Sequence, residues 1–384
     1  MAYLTSSFKT LLISLLGVGF SFLLSSQPNL ATAKVAHAAP LTSFAGSSLV
    51  GLPVAYLPPG NAITDGQALL RYALPIDSDE IRAVQGDLEG LSQWLRSKRW
   101  GPMTRDIKKI KRTLGRKADK ILAAVPEANQ PKAQAILTSL TAGIEPLQEA
   151  VDAHDKEAVW EQRSQLLGEI TAIEELMVEG FPYEVPDEYS NLPQLKGRAE
   201  VEVLTTQGPV KVVVDGFSAP VTSGNFVDLV KRGFYDGMPF IRAEEFYVLQ
   251  TGDPEGPAEG FIDPKTQEYR AVPLEILVKG DEQPVYGETL ESLGRFMEDP
   301  ILPFSAFGTV AMARPEENPN GGSSQFFFFL FEPELTPAGL NLLDGRYSVF
   351  GYVIEGKEVL RKLGQGDSIQ SAKVVSGLEN LVEP

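Results

Sequence analysis

The stretch from Gly308 to Leu330 contains a polar amide, Gln325, followed by four consecutive phenylalanines. Aromatic residues favour β-strands, and side chains alternate between the two faces of a strand. Phe326 and Phe328 therefore share one face, whereas Phe327 shares the other face with Gln325. An amide beside an aromatic ring could form a recognition surface for a ligand. The alternative is that both faces are simply buried.

Other kinds of chemistry are limited by what the sequence lacks. It has no cysteine and only two histidines, His37 and His154. Disulfides, thiol catalysis and cysteine-ligated metals are therefore excluded, and a histidine base or a zinc site is not expected. Gly216-Phe217-Ser218 begins like the nucleophile turn of a serine hydrolase, but the final glycine of that motif is absent. We expect no metal and no cofactor.

Three blocks of sequence, in a fixed order, carry a resemblance to a known family. The first is SGNFVDLVKRGFYDGMPFIRAEEFYVLQTGDP at 223–254, and the last is LLDGRYSVFGYVIEG at 342–356. Between them, GTVAMA, an Asn/Gly turn and SQFF resemble the core signature of the cyclophilins, which are peptidyl-prolyl cis-trans isomerases. Three collinear blocks over roughly half of the chain are far more specific than one motif.

Prolyl isomerisation needs no nucleophile, because no bond is broken. The barrier of about 20 kcal/mol comes from amide resonance, which is lost when the X–Pro bond twists. An enzyme can hold the proline ring in an apolar pocket and place a cation near the prolyl nitrogen, whose lone pair becomes available only in the twisted state. The resemblance implies Arg242 as this cation, and Gln250 as the amide that hydrogen-bonds the substrate backbone and orients the arginine. The alternative for Arg242 is a surface ion pair with Glu244 or Glu245.

The resemblance also implies a substrate-binding pocket. Its members are Tyr247, Val248, Ala313, Gln325, Phe327, Leu342, Leu343 and Tyr347. Several positions depart from the usual residues of the family: Ile241 and Tyr347 replace histidines, Leu342 replaces tryptophan, Arg314 replaces asparagine, and Tyr247 and Val248 replace phenylalanine and methionine. Leucine in place of tryptophan removes a large apolar contact and a hydrogen-bond donor. We therefore expect weak or absent isomerase activity on short peptides, with a binding surface for X–Pro or extended chains retained.

The N-terminal residues have the pattern of an export signal. Lys9 provides a charged start, Leu11 to Leu24 an apolar stretch, and small residues follow, so residues 1–40 are predicted to be a signal peptide. The alternative is an uncleaved anchor. Residues 41–75, rich in glycine and proline, are predicted to form a lead-in coil.

Residues 76–180 are predicted to form an antiparallel helical bundle. Apolar residues recur at spacings of three and four through four segments that are separated by short loops. Asp77 and Glu80 resemble a capping box before the first helix. A proline-punctuated linker at 181–198 then leads to residues 199–384, which are predicted to form a cyclophilin-like closed β-barrel with flanking helices. The acidic segment 271–303 is longer than the matching loop of a minimal cyclophilin.

Charge is distributed unevenly between the two halves. The net charge is −17, and residues 181–384 hold 32 acidic against 16 basic residues. This surface disfavours nucleic acid as a partner. Residues 96–120 hold eleven lysines and arginines against two aspartates. This basic helix is either a solvated face or a surface on which the acidic domain docks.

Two functional hypotheses follow. The order of signal, helical module and altered barrel resembles the large thylakoid-lumen cyclophilins of cyanobacteria and chloroplasts. The resemblance implies an exported isomerase, in the thylakoid lumen or periplasm, that acts on proline-containing clients, photosystem II subunits among them. The second hypothesis is a non-catalytic chaperone or assembly factor that binds clients without isomerising them.

Overall fold

The computed structural model describes residues 63–244, 246–331 and 341–384. The predicted signal peptide, 1–40, lies outside these residues, as does most of the predicted coil. Within that coil segment, Gly66–Ala73 forms helix α1, which is capped by the side chain of Asp65 and followed by Pro75. The prediction of a coil is wrong here, because QALLRYA consists largely of strong helix formers.

Four longer helices follow α1. They are α2 (Asp79–Arg96), α3 (Trp100–Ala123), α4 (Gln130–Asp152) and α5 (Lys156–Met177). Each packs against the next, and α2 also packs against α5, so the four enclose one apolar core. This core contains the predicted periodic residues of α2, namely Ile81, Val84, Leu88, Leu91 and Leu95. The predicted helical bundle is therefore confirmed.

The N-termini of α5 and α2 are stabilised in different ways. Asp155 caps α5, because its carboxylate accepts the backbone N–H groups of Glu157 and Ala158. The predicted capping box of Asp77 and Glu80 is not formed. Instead α2 begins after Ser78, and the carboxylate of Glu80 lies 3.2 Å from the ammonium of Lys117 in α3.

The C-terminal domain is built on antiparallel strands. Their bounds are β1 (Gln194–Leu195), β2 (Arg198–Thr205), β3 (Gly208–Asp215), β4 (Arg242–Glu244), β5 (Val248–Thr251), β6 (Glu275–Ile276), β7 (Val285–Tyr286), β8 (Thr309–Met312), β9 (Phe326–Phe329), β10 (Val349–Glu355), β11 (Ile369–Ser376) and β12 (Leu381–Val382). Eight of them form one sheet in the order β11-β2-β3-β10-β8-β9-β5-β4. Two helices, α6 (Pro220–Lys231) and α7 (Lys357–Leu360), accompany the sheet.

The sheet is curled but not closed, so the prediction of a closed barrel is wrong. Its edge strands, β4 and β11, do not pair along their length. Just before β4, residues 237–240 meet residues 367–369 through one isolated bridge, Pro239 with Ser368, and through three backbone hydrogen bonds. Proline has no N–H to donate, and β4 has only three residues, so a continuous ladder cannot form across this gap.

The two faces of the sheet bury different apolar residues. Helix α6 fills the concave side, where Phe226 contacts Phe326 and Phe350. Phe327 and Phe329 belong to a separate cluster on the other face, together with Leu69 and Leu70 of α1. Both faces of the phenylalanine strand are thus buried, as the alternation of its side chains requires.

The acidic segment 271–303 is folded onto the domain. Strands β6 and β7 pair within it, and Leu290 lies in a small apolar core of its own. Glu275 at the start of β6 accepts the backbone N–H groups of Val221 and Thr222, which open helix α6. Among the described residues, no helix is long and apolar enough to cross a membrane.

Candidate functional site

Strand register places Arg242, Gln250 and Phe327 in one row. Arg242 of β4 is opposite Gln250 of β5, which is opposite Phe327 of β9, and Ala311 of β8 continues the row. Directly opposed residues of antiparallel strands point to the same face. A cationic guanidinium, an amide and an aromatic ring therefore lie side by side on the outer face of the sheet.

The guanidinium of Arg242 is half exposed and pairs with Glu244. The Nε and NH2 atoms of Arg242 lie 2.7 and 2.6 Å from Oε1 of Glu244. The alternative prediction for Arg242, a surface ion pair with Glu244, is therefore confirmed. It does not remove Arg242 from the site, because both residues stand on the same face of β4, two positions apart.

A chain of amides fixes Gln250. Its Nε2 donates to Oε1 of Gln325 at 2.7 Å. The Nε2 of Gln325 donates in turn to Oδ1 of Asp253 at 3.0 Å and to the carbonyl of Glu259 at 2.9 Å. Gly252, with φ of +94°, allows close packing here, since a Cβ at this position would lie 2.4 Å from the carbonyl of Ser324. Gln250 is predicted to orient Arg242, but in the structure its amide donates to Gln325, while the guanidinium of Arg242 binds Glu244.

Aromatic rings form the floor of the site. The ring of Phe327 makes an edge contact with Tyr347 at 5.5 Å between centroids and stacks with Phe304 at 6.0 Å. Tyr247 contacts Phe329 edge-on at 5.9 Å. Phe327, Phe329, Phe304 and Val248 are buried in this cluster, whereas Tyr247 is 38% exposed and Tyr347 is half-buried. The two tyrosines are therefore the apolar rings of the group that a proline ring can reach.

The loop before β10 forms one wall. Asp344 accepts the backbone N–H groups of Phe304 and Asn341, and burial raises the pKa of Asp344 to about 6. Leu343 packs against the aromatic floor. Leu342 does not, because its side chain is 88% exposed.

A second cation lies on this wall. The guanidinium of Arg314 stacks on Tyr347 with its Cζ 5.1 Å from the ring centroid, and its Nε donates to the carbonyl of Arg346. Burial lowers the pKa of Arg314. The arginine that replaces the family's usual asparagine thus braces the tyrosine that replaces its usual histidine.

The structure brings most of the predicted site residues together and leaves one apart. Phe327, Val248, Ala313, Leu343 and Tyr347 belong to one apolar cluster. Tyr247 contacts that cluster, and Arg242, Gln250 and Gln325 lie beside it. Leu342 is the residue left apart.

Phe304 and helix α1 were not predicted at this site. The helix-forming residues after Asp65 could have indicated α1, but no pattern in the sequence marks Phe304 as a partner of Phe327.

Sequence comparisons agree with this geometry. Residues 200–379 match the family model described as cyclophilin type peptidyl-prolyl cis-trans isomerase. Residues 65–178 match the model for a PsbQ-like domain of peptidyl-prolyl cis-trans isomerase CYP38-like proteins. The two matches coincide with the curled sheet and the helical region.

Relatives match over most of their length. A putative thylakoid lumen peptidyl-prolyl cis-trans isomerase of Synechocystis is 58% identical over 323 residues, which cover 84% of this chain and 85% of that protein. The chloroplastic isomerase CYP38 of Arabidopsis thaliana is 46% identical over 391 residues, covering 99% of this chain and 87% of that protein. The chloroplastic isomerase CYP37 of the same plant is 31% identical, covering 88% and 76%. With the fold and the row of site residues, these matches establish that the chain belongs to the cyclophilin-type peptidyl-prolyl cis-trans isomerases.

Proposed function

We propose that this protein isomerises X–Pro bonds of client proteins in the thylakoid lumen and assists photosystem II assembly, with weak activity on short peptides. The observation that supports the chemistry is the row of Arg242, Gln250 and Phe327 on one face of the sheet. The location is supported by the names of the thylakoid and chloroplast relatives. The assembly role is supported by the PsbQ-like description of the helical domain.

The proposed chemistry assigns one role to each residue. Tyr247 and Tyr347 receive the proline ring, and Gln250 binds the backbone of the client. Arg242 donates to the prolyl nitrogen once the amide twists and the nitrogen lone pair is no longer delocalised. Because this bond forms only in the twisted state, it lowers the barrier without tightening the binding of the planar substrate.

Arg242→Ala tests this assignment. We expect the variant of the full chain to lose at least about tenfold in kcat/KM on an Ala–Pro peptide, because one charge-assisted hydrogen bond to the transition state is removed. Arg361→Ala, at the residue that follows helix α7 and outside the row of site residues, is the control. Equal activity of Arg242→Ala and the unchanged protein would refute the role of Arg242.

A second candidate is a client-binding chaperone without isomerase activity. One observation favours it: Leu342, which the resemblance assigns to the pocket, is 88% exposed and does not pack against the aromatic floor. Suppressed aggregation of an unfolded client by both the unchanged protein and Arg242→Ala, with no isomerisation by either, would select this function.

We also propose that the helical domain docks on the acidic domain. Arg198 supports this proposal, because its Nε lies 2.7 Å from Asp215, its guanidinium donates to the carbonyl of Leu70 in α1, and its NH1 lies 3.8 Å from Glu175 in α5. The lysines of the basic helix α3 have other partners: Lys109 and Lys111 pair with carboxylates of the bundle.

A further inference from the structure

The turn at residues 288–298, hereafter the 288–298 turn, exposes an unusual amount of apolar surface. Phe296 and Met297 are each 65% exposed, and Leu293 is 44% exposed. Single exposed apolar residues are common on proteins, but three in five positions form a cluster.

The backbone of the 288–298 turn is fixed by hydrogen bonds, although its apolar side chains are exposed. Backbone N–H groups of Leu293, Gly294 and Arg295 donate to the carbonyls of Thr289, Glu291 and Leu290. The guanidinium of Arg295 also binds both carboxylate oxygens of Asp281, at 2.8 and 2.9 Å. It further binds Glu298 at 2.8 Å, and these hydrogen bonds raise the pKa of Arg295. The backbone of the turn is therefore fixed before a partner binds, which lowers the backbone entropy lost on binding.

The 288–298 turn is joined directly to the wall of the candidate site. The backbone N–H of Leu290 donates to the carbonyl of Gly345 at 2.9 Å, and Glu291 pairs with Arg346 at 2.6 Å. The same wall carries the exposed Leu342. A polypeptide bound at the site can therefore continue onto the turn.

The charge around the apolar cluster indicates the kind of partner. Residues 281–299 contain six acidic residues and one basic residue, Arg295. Four of the carboxylates pair with cations, namely Asp281 and Glu298 with Arg295, Glu291 with Arg346 and Asp299 with Lys279, so six negative charges face three positive ones. An acidic rim around an apolar centre favours a partner with the opposite charge at its rim.

We propose that the 288–298 turn is a docking surface for an apolar client segment flanked by lysine or arginine, bound beside the isomerase site. The inference rests on the proposed function only in taking the segment to belong to a client, because docking itself needs neither Arg242 nor Gln250. The pocket residues do not indicate which clients are bound, whereas the 288–298 turn favours clients with an apolar segment between basic residues.

Fluorescence anisotropy with the full chain tests the proposal. The probe is a labelled peptide with a leucine- and phenylalanine-rich centre and lysines at both ends. We expect the double variant Phe296→Ser, Met297→Ser to bind it about tenfold more weakly, since two exposed anchors are removed. Val375→Thr, at a residue that is 51% exposed on β11, is the matched control and should bind as the unchanged protein does.

Four further measurements decide between this proposal and its rivals. Binding should weaken as salt is added, and a probe with glutamate in place of lysine should bind poorly. Equal affinity of the double variant and the control, or of the two probes, overturns the proposal. So does self-association in sedimentation that the double variant abolishes, because the occupant would then be a second copy. Arg242→Ala should keep full affinity for the lysine probe, so that loss of isomerisation and loss of docking are told apart.

Discussion

At the scale of single residues, Arg242 pairs with Glu244 and is also the proposed donor to the prolyl nitrogen. The two side chains are each about half exposed, and ion pairs of this kind contribute about 0–1 kcal/mol. A substrate can therefore displace Glu244 at small cost. The pair still competes with the prolyl nitrogen for the same guanidinium, so Glu244 should reduce activity modestly.

Replacing Glu244 by Gln should raise kcat/KM on Ala–Pro peptides about two- to fivefold, which corresponds to the small free energy of an exposed pair. The measurement is a coupled isomerisation assay on the full chain. Glu355→Gln is the matched control, because Glu355 is also an exposed carboxylate in an ion pair, 2.9 Å from Lys211. A decrease in kcat/KM for Glu244→Gln would show that Glu244 orients Arg242 instead of restraining it.

At the scale of elements, helix α1 connects the outer face of the sheet to the rest of the chain. Leu69 and Leu70 pack in the same apolar cluster as Phe327. The approach is close at Gly66, where a Cβ would lie 2.7 Å from the Cβ of Tyr352 in β10. Only glycine allows the helix to reach the strand at this point.

Gly66→Ala should therefore lower the free energy of unfolding by about 1–2 kcal/mol, because the added methyl group overpacks the contact with Tyr352. Gly115→Ala in α3 is the control, since nothing lies within 4 Å of a Cβ there. That control should instead raise stability, by up to about 1 kcal/mol, through helix propensity. Urea denaturation measures both, and a stabilised Gly66→Ala would mean that α1 does not press on β10.

At the scale of the whole molecule, three buried carboxyl groups make stability depend on pH. Burial raises the pKa of Glu174 in α5 to about 7, despite its ion pair with Arg82, and raises the pKa of Glu275 to about 7. Burial raises the pKa of Asp344 to about 6. The native protein therefore binds protons at these sites more tightly than the unfolded chain, whose carboxyl pKa values are near 4.

The free energy of unfolding should accordingly increase as the pH falls from 8 to about 5, because the three carboxyl groups become protonated in the native protein first. The increase should level off near pH 4, where these groups also become protonated in the unfolded chain. Thermal denaturation at pH 8 and pH 5.5 measures this, with the higher midpoint expected at pH 5.5. Glu275→Gln isolates one contribution, because its amide does not titrate. The N–H groups of Val221 and Thr222 bind different oxygens of Glu275, so the single amide oxygen keeps only one of these hydrogen bonds and the variant should be less stable at every pH. Its pH dependence should be shallower, and a dependence equal to that of the unchanged protein would contradict the role of Glu275.

Much of this protein can be predicted from local patterns in its sequence. The three- and four-residue spacing of apolar residues predicts the four long helices, and the alternation of Phe326 to Phe329 predicts that these rings divide between two faces of a strand. Both depend on the periods of helix and strand, which are properties of neighbouring residues. Arg242 and Gln250 both lie in the first of the three collinear blocks, and the structure places them opposite each other on β4 and β5.

The tertiary structure decided the features that depend on residues far apart in the chain. The gap between β4 and β11, the exposure of Leu342, and the contacts of Phe304 and α1 with the phenylalanine strand all arise where distant segments meet. The pairing of Glu80 with Lys117 in place of a cap has the same origin. The spacing of neighbouring residues cannot predict such contacts, because they depend on packing and burial in the folded chain.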